Sequence, residues 1–344
     1  MKKTSFIHFV VAATLFTLMS TQKIFAGYYP FYAPYPDQAT AKTLMSRPLV
    51  IELRTIKEKE RQKLMKNDPE ELKFQEDYNA YYNQTLKDYF SSKYTGSKEI
   101  TFMNPTSIDS LVKSGTSKYA ILRGGSLERF FVVGGKQMKK DTYSFSMFLS
   151  EKENPELVIS FIQETLTDSD FLFLLQQINE IIKNASSGGS SPDYETMNKN
   201  FPDRINGKKL LIPESLLNEK LTKEDIQKAY TLPLEFVSNE DYEAKLKSES
   251  KDYVYLTGSF SASLQGYTCN VISAENGQIL LAMAVGGVTF YVHTRPSKEQ
   301  MKSLGYSMAS LSDRNKYSVT LFTTKPKFSV KDSHFAKMMK LAKK

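Results

Sequence analysis

The sequence is poor in the residues that build disulfides and metal sites. Its 344 residues include one cysteine, three histidines and no tryptophan. A lone thiol, Cys269, excludes an intramolecular disulfide, and it lies in an apolar run typical of a small buried hydrophobe. Because His8 falls in the leader described next, His293 and His334 would be left, which excludes a histidine-rich metal site. We therefore expect no metal and no other cofactor.

Near its start the chain has only a short apolar run. Lys2 and Lys3 precede apolar residues 6–19, fewer than the ~20 that a membrane-spanning helix needs. Basic residues, a short apolar run and the small residue Ala26 are typical of a secretory signal peptide over residues 1–26. We expect an exported protein, periplasmic or secreted, that is soluble after cleavage. A membrane anchor is the competing interpretation of the same run.

Charge of one sign is not concentrated anywhere. The chain has 46 basic and 38 acidic residues, a formal net charge of +8, and no arginine-rich stripe, so no nucleic-acid partner is expected. Lysines 337, 340, 343 and 344 make the C-terminal helix basic. They predict either a weak contact with an anionic membrane surface or a solvated helix end favoured by the helix dipole.

What the sequence does contain is an internal repeat. Residues 100–124 align without a gap on residues 234–258, and the match continues from 143–151 to 267–275. The identical pairs are Phe102/Phe236, Lys113/Lys247, Ser114/Ser248, Tyr119/Tyr253, Leu122/Leu256 and Gly124/Gly258. None of these residues is a histidine or a carboxylate, which indicates a retained scaffold and not a retained catalytic site.

Each copy alternates strand and helix patterns. The first predicts strands at 47–53, 99–103, 118–124, 143–151 and 157–161, helices over 55–92 with a break at Asp68-Pro69, a short helix capped by Ser107, and a closing helix. The apolar stripe of that closing helix consists of Phe171, Leu174, Leu175, Ile178, Ile181 and Ile182. The second copy predicts strands at 208–213, 234–237, 251–258, 267–275 and 279–283, with Glu275-Asn276-Gly277 as a hairpin turn. It continues with a helix at 298–304, a strand at 317–323 and a terminal helix at 330–342.

The predicted fold class is α/β (α+β). Two tandem similar domains each hold a mixed sheet built as β-α-β-α-β, a β-hairpin and a helix, with helices covering the sheet. A Ser/Gly-rich stretch at 186–193 predicts a linker between them. The expected organisation is a signal peptide (1–26), an extended arm (27–46), a first repeat (47–185), the linker and a second repeat (194–344).

The predicted arm is rich in aromatic residues and proline. Three prolines within 30–36 oppose a helix and favour an extended chain. The arm either packs on its own domain or docks on a partner. Its candidate binding residues are Tyr28, Tyr29, Phe31, Tyr32 and Tyr35.

One part of the second copy resembles a known pattern. A strand ending in Thr257-Gly258-Ser259, a further strand, the turn at 275–277 and another apolar strand are similar to bacterial envelope α/β domains. These are the curli-transport lipoprotein family and the amino-terminal domain of the Tol-system periplasmic protein. The resemblance covers residues 210–285 and implies a non-catalytic envelope binding or assembly module. The lipidation cysteine of that pattern is missing, so no pore-forming role is carried over.

Three functions are consistent with the sequence. The first is an exported, non-catalytic binding or assembly protein that engages an envelope or secreted protein partner. The second is a receptor that holds a small or polymeric ligand in a cleft between the copies. The third is an exported hydrolase with an unrecognised site. Ser307, Asp313 and His334 run in the order of a hydrolase triad, but no strand precedes the serine as a nucleophile elbow requires. A deep cleft would favour a ligand, and an exposed aromatic patch would favour a partner.

Overall fold

The computed structural model describes residues 35–133, 136–152, 154–161, 166–191, 194–217, 221–261, 266–285 and 330–343. The predicted signal peptide, arm residues 28–32, and the helix and strand expected at 298–304 and 317–323 lie outside these residues. So do Ser307 and Asp313. Among the helices that the structure describes, none is both long enough and apolar enough to cross a membrane.

The first half of the chain alternates strands and helices, as its sequence predicts. The elements are α1 (Gln38–Ser46), β1 (Leu49–Glu52), α2 (Glu58–Asn67), α3 (Pro69–Lys93), β2 (Ile100–Met103), α4 (Pro105–Lys113), β3 (Ala120–Val133), β4 (Lys136–Leu149), β5 (Leu157–Phe161) and α5 (Asp168–Ser186). Helix α1 lies in the segment expected to be an extended arm. Asp37 caps it by accepting a hydrogen bond from the Thr40 amide, so the prediction of an extended arm is wrong for residues 38–46.

Local capping explains where the helices of the first half break. Asp68 ends α2, and its Oδ1 accepts a hydrogen bond from the Glu71 amide at 3.1 Å to begin α3, which confirms the predicted break at Asp68-Pro69. The predicted cap at Ser107 is wrong. Asn104 is the cap of α4 because its Oδ1 accepts from the Ser107 amide at 2.8 Å, and Pro105 occupies the first turn.

The second half repeats the same order with a shorter first connection. Its elements are α6 (Tyr194–Lys199), α7 (Phe201–Ile205), β6 (Lys209–Pro213), a 3₁₀ turn (Glu214–Leu216), α8 (Lys223–Ala229), β7 (Leu234–Val237), α9 (Asn239–Lys247), β8 (Tyr253–Ser261), β9 (Gly266–Ser273), β10 (Ile279–Val285) and α10 (Asp332–Ala342). In the first half α2 and α3 connect β1 to β2, whereas in the second half the shorter 3₁₀ turn and α8 connect β6 to β7.

Both halves form a five-stranded mixed sheet of the same topology. The strand order is β2-β1-β3-β4-β5 in one sheet and, in the same direction, β7-β6-β8-β9-β10 in the other. In each sheet the first strand pairs in parallel with the second and third, and the last three pair antiparallel. The predicted fold class, two similar α/β units with mixed sheets, is confirmed.

Strand register agrees with the sequence repeat. Gly124 lies opposite Phe145 in the first sheet. Gly258 lies opposite Cys269 in the second, and these are the positions that the alignment superposes. The first hairpin is longer than predicted, because β3 continues past Gly124 and stays paired with β4 up to Val133.

Helix α5 lies between the two sheets. Its predicted stripe is buried, with Phe171 against Phe145 of the first sheet, and the opposite side, which includes Leu172 and Phe173, is buried too. Gln176 donates a hydrogen bond to the Ala274 carbonyl at 3.2 Å, and Gln177 donates to the Gly277 carbonyl. One cluster of buried side chains therefore runs from the first sheet through α5 to the second. A second cluster joins the opposite face of the second sheet to α7, α8 and α10.

Candidate functional site

A cleft of about 1090 Å³ opens where the second sheet meets the first half of the chain. One wall is formed by the residues that follow β6, by β8 near Thr257 and Gly258, and by one face of α9. The opposite wall is formed by the first turns of α5 and by Tyr81 of α3. The cleft therefore needs both halves of the chain.

The topology of the second sheet explains the position of the cleft. The chain leaves β6 towards β7 on one side and then crosses to β8 on the other, so the segments after β6 and β7 diverge. Such a switch point, at the carboxyl ends of parallel strands, is where open α/β sheets bind ligands. Here Asn239, at the start of α9, accepts a hydrogen bond from the Ser215 amide at 3.3 Å and links the two segments.

Polar contacts hold α5 and α9 together along the cleft. Ser169 donates from its amide and its hydroxyl to the carboxylate of Glu243, at 2.8 and 2.9 Å. Asp168 accepts a hydrogen bond from the Tyr81 hydroxyl at 2.5 Å and forms an ion pair with Lys247. Burial raises the pKa of Asp168, but the hydrogen bonds from Lys247 and Tyr81 outweigh burial and leave this pKa below its usual value.

Two tyrosines form part of the cleft lining. Tyr242 and Tyr255 are 9% and 5% exposed, and their rings meet edge to face with centroids 6.4 Å apart. Neither hydroxyl has a hydrogen-bond partner in the described part of the chain. Burial raises the pKa of both hydroxyls, and the negative charge of Glu243 raises it further. Both tyrosines therefore stay neutral, with polar atoms available to a ligand.

The charge of the cleft is opposite in sign to that of the whole chain. Asp168 neutralises Lys247, so that pair adds no net charge. Glu240 and Glu243 also line the cleft, and within the described residues neither forms an ion pair. These two carboxylates make the cleft locally negative on a protein whose formal net charge is +8.

In the first sheet the corresponding position is filled. Arg54 follows β1, and its guanidinium lies 5.1, 5.8 and 5.7 Å from the ring centroids of Tyr78, Tyr82 and Tyr143. Asn83 fixes the backbone of Arg54, accepting from its amide at 2.8 Å and donating to its carbonyl at 3.0 Å. Because α3 brings Tyr78 and Tyr82 over the switch point, where Tyr143 of β4 joins them, the two units differ at positions that would otherwise be equivalent.

Most of the candidate binding residues of the predicted arm lie outside the described residues. Tyr28, Tyr29, Phe31 and Tyr32 fall there, and their binding role stays a prediction. Tyr35 is partly buried, and its hydroxyl accepts a hydrogen bond from Asn184 of α5 at 2.6 Å, away from the cleft. This contact agrees with the interpretation that the arm packs on its own domain.

Other candidates for chemistry have structural roles. Cys269 is fully buried, which raises the pKa of its thiol to about 12. His334 accepts a hydrogen bond from the Lys331 amide at 2.9 Å, at the start of α10. No group of acidic, cysteine and histidine side chains that could hold a metal ion occurs among the residues that the structure describes.

The cleft residues were missed from the sequence because they lie far apart in it. They extend from Tyr81 to Val330, and no two neighbouring segments reveal that they meet. The one available signal was the acidic start of α5, where Asp168 and Asp170 are the residue types that cap helices. Asp170 does cap the helix, because it accepts a hydrogen bond from the Thr167 amide at 2.8 Å, and both Asp168 and Asp170 line the cleft.

Comparisons with known proteins give no family. No family model matches the chain, and no curated protein matches it. Among solved structures the chain is similar to the PelC dodecamer from Paraburkholderia phytofirmans, with 8% sequence identity, a TM-score of 0.19, and coverage of 46% of this chain and 94% of that one. A likeness at this level carries no argument about function.

Proposed function

We propose that the protein is an exported binding protein that holds a ligand in the cleft between its two units. The observation that carries this proposal is the cleft itself: about 1090 Å³ at the switch point of the second sheet, lined by aromatic side chains and a few polar groups. Ligand pockets typically measure about 300–1,000 Å³ and combine apolar walls with a few placed polar atoms. The cleft is slightly larger than that range, and its lining has the same mixed character.

Two further observations support the interpretation that the cleft binds a ligand and is not simply an unfilled space between the two units. The equivalent position of the first sheet is filled by Arg54 and its three tyrosines, so this fold is able to close the space. In the second sheet the space stays open although it leaves the hydroxyls of Tyr242 and Tyr255 without a partner among the described residues. The hydroxyl oxygens of both tyrosines keep some accessible surface, so a molecule bound in the cleft can form hydrogen bonds to them.

The test is binding of a neutral apolar fluorophore, N-phenyl-1-naphthylamine, by the purified protein. Ala244 is exposed on the cleft face of α9, so Ala244→Trp places a large ring in the cleft without disturbing a packed core. The control is Ala336→Trp, at an exposed alanine of α10 outside the cleft lining. We expect saturable binding that Ala244→Trp weakens at least about tenfold and Ala336→Trp leaves unchanged. Equal binding by both variants would contradict the proposal.

A protein partner remains the second candidate. The specific observation is the pair α2 and α3, where Phe74 and Met65 are 56% and 58% exposed. Helix α2 buries no residue, so this helical pair presents an apolar side chain on each helix to its surroundings. If it engages an envelope or secreted partner, Phe74→Ser with Met65→Ser reduces recovery of that partner in affinity capture, whereas Ala244→Trp does not.

A further inference from the structure

We propose that the ligand of the cleft is an organic cation, an ammonium group with apolar substituents. This inference rests on the proposed function and names the chemical class of its ligand. It follows from three features that coincide in the cleft: aromatic rings, carboxylates without a basic partner, and tyrosine hydroxyls without a hydrogen-bond partner.

The aromatic lining suits a cation with apolar groups. Phe161, Phe173, Tyr242 and Tyr255 line the cleft, and Tyr81 stands at its edge, 39% exposed. Because the faces of aromatic rings carry negative charge, they attract ammonium groups, most strongly where water is excluded. The hydroxyl of Tyr81 is held by Asp168, so its ring is fixed in orientation towards the cleft region.

The charge of the cleft selects the sign of the ligand. Lys247 is paired with Asp168 and is not available to an anion. The carboxylate of Glu243 accepts hydrogen bonds from Ser169, which fix its position without neutralising its charge. Glu240 adds a second negative charge in the lining. An anionic ligand would have to enter against both carboxylates, whereas a cation gains from both.

The tyrosine hydroxyls supply the remaining polar contacts. A hydroxyl oxygen has lone pairs that accept a hydrogen bond from an ammonium group, and it can donate to an acceptor as well. The hydroxyls of Tyr242 and Tyr255 belong to side chains that are at least nine-tenths buried, and in the described part of the chain neither is bonded. A bound cation next to Glu243 would place its N–H or polarised C–H groups against them.

The experiment compares two probes of nearly equal size and shape but opposite charge. Binding of tetraphenylphosphonium and of tetraphenylborate to the whole protein is measured by isothermal titration calorimetry. We expect the cation to bind at least about tenfold more tightly than the anion. The protein's formal net charge of +8 favours the anion, so a preference for the cation must originate locally. A preference for the anion, or equal affinity, overturns the proposal.

Two variants assign the preference to the cleft. Glu240 is exposed and its side chain makes no hydrogen bond or ion pair within the described residues, so Glu240→Gln is expected to keep the fold and to weaken tetraphenylphosphonium binding about threefold to tenfold. Glu224→Gln, at an exposed position of α8 outside the cleft lining, is the control and should leave binding unchanged. Equal effects of the two variants would contradict the assignment.

The outcomes separate this inference from the proposed function. If N-phenyl-1-naphthylamine binds and Ala244→Trp blocks it, but tetraphenylphosphonium shows no advantage, the cleft is a ligand site and the cation class is wrong. If neither probe binds, or Ala244→Trp affects neither, both proposals fail. If the cation binds and both Ala244→Trp and Glu240→Gln weaken it, both stand.

Discussion

Gly124 should be intolerant of any side chain, although the glycine next to it should not be. A methyl group at Gly124 would come within 2.4 Å of the Tyr82 hydroxyl, 2.7 Å of the Tyr143 hydroxyl and 3.1 Å of the Phe145 ring. At Gly125 the same group would meet nothing within 4 Å. Gly124→Ala and Gly125→Ala thus form a matched pair in one strand.

The size of the destabilisation depends on whether the side chain of Tyr82 can move away from the new methyl group. Tyr82 is 1% exposed and its ring packs between neighbouring aromatic rings, so its hydroxyl cannot retreat the ~1 Å that ordinary contact requires. Overpacking of this kind costs about 1–3 kcal/mol, and losing the 2.9 Å hydrogen bond from Tyr143 to Tyr82 adds about 1 kcal/mol. We expect Gly124→Ala to lower the free energy of unfolding by about 2–4 kcal/mol. Gly125→Ala should change it by less than about 1 kcal/mol, and in the stabilising direction if the unfolded chain loses freedom.

Urea denaturation followed by circular dichroism measures both values, provided that the m-value stays constant. The second step is Tyr82→Phe in the Gly124→Ala background, which removes the nearest oxygen. The double variant should be less destabilised than the sum of the single changes. Additive effects, or equal stability of Gly124→Ala and Gly125→Ala to within about 0.5 kcal/mol, would refute the close-packing argument.

Four further results are expected. Leu174→Ala, in the core that both sheets share, should cost about 2–5 kcal/mol and leave a single unfolding transition, and two separate transitions would show independent halves. Asp168 has a lowered pKa in the folded state, so its contribution to stability is present above its unfolded pKa of about 3.9 and is lost as pH falls through the folded pKa. Asp168→Asn should therefore reduce the loss of thermal stability at acidic pH, which melting curves recorded across pH would measure. Native Cys269 should resist a thiol reagent at pH 8 and react on denaturation, since its pKa is raised to about 12, and fast native labelling would contradict its burial. If the exposed lysines of α10 contact anionic membranes, Lys337→Glu with Lys340→Glu should abolish salt-sensitive sedimentation with anionic vesicles; unchanged sedimentation would exclude that contact.

Local sequence patterns were sufficient to predict an element where its buried residues recur with the period of a strand or a helix. Strands β1, β2 and β5 to β10 and helices α3 and α5 were all predicted close to their observed positions. The prediction failed where a nearby group changed the outcome. Asn104 took the cap assigned to Ser107, and β3 ran on past Gly124 because β4 supplies hydrogen bonds to its whole length.

Helix α5 shows why the remaining contacts were not predictable. Its sequence predicts one apolar stripe, and Gln176 and Gln177 lie outside that stripe. They are nevertheless buried, because carbonyls of the turn between β9 and β10 accept their hydrogen bonds. The sequence of α5 does not indicate those acceptors, because they lie about a hundred residues away along the chain.

The sequence by itself determined the duplication, the α/β class and the positions of most strands, because alternation of apolar residues and capping act over a few neighbouring residues. The tertiary structure alone decided that the two sheets share α5 and that a cleft opens beside it. Equivalent switch points occur in both sheets, and only packing distinguishes them. Tyrosines of α3 fill the switch point of the first sheet, whereas the start of α5 leaves a cleft at the switch point of the second sheet. That difference depends on contacts between segments far apart in sequence, whose distances a linear pattern does not contain.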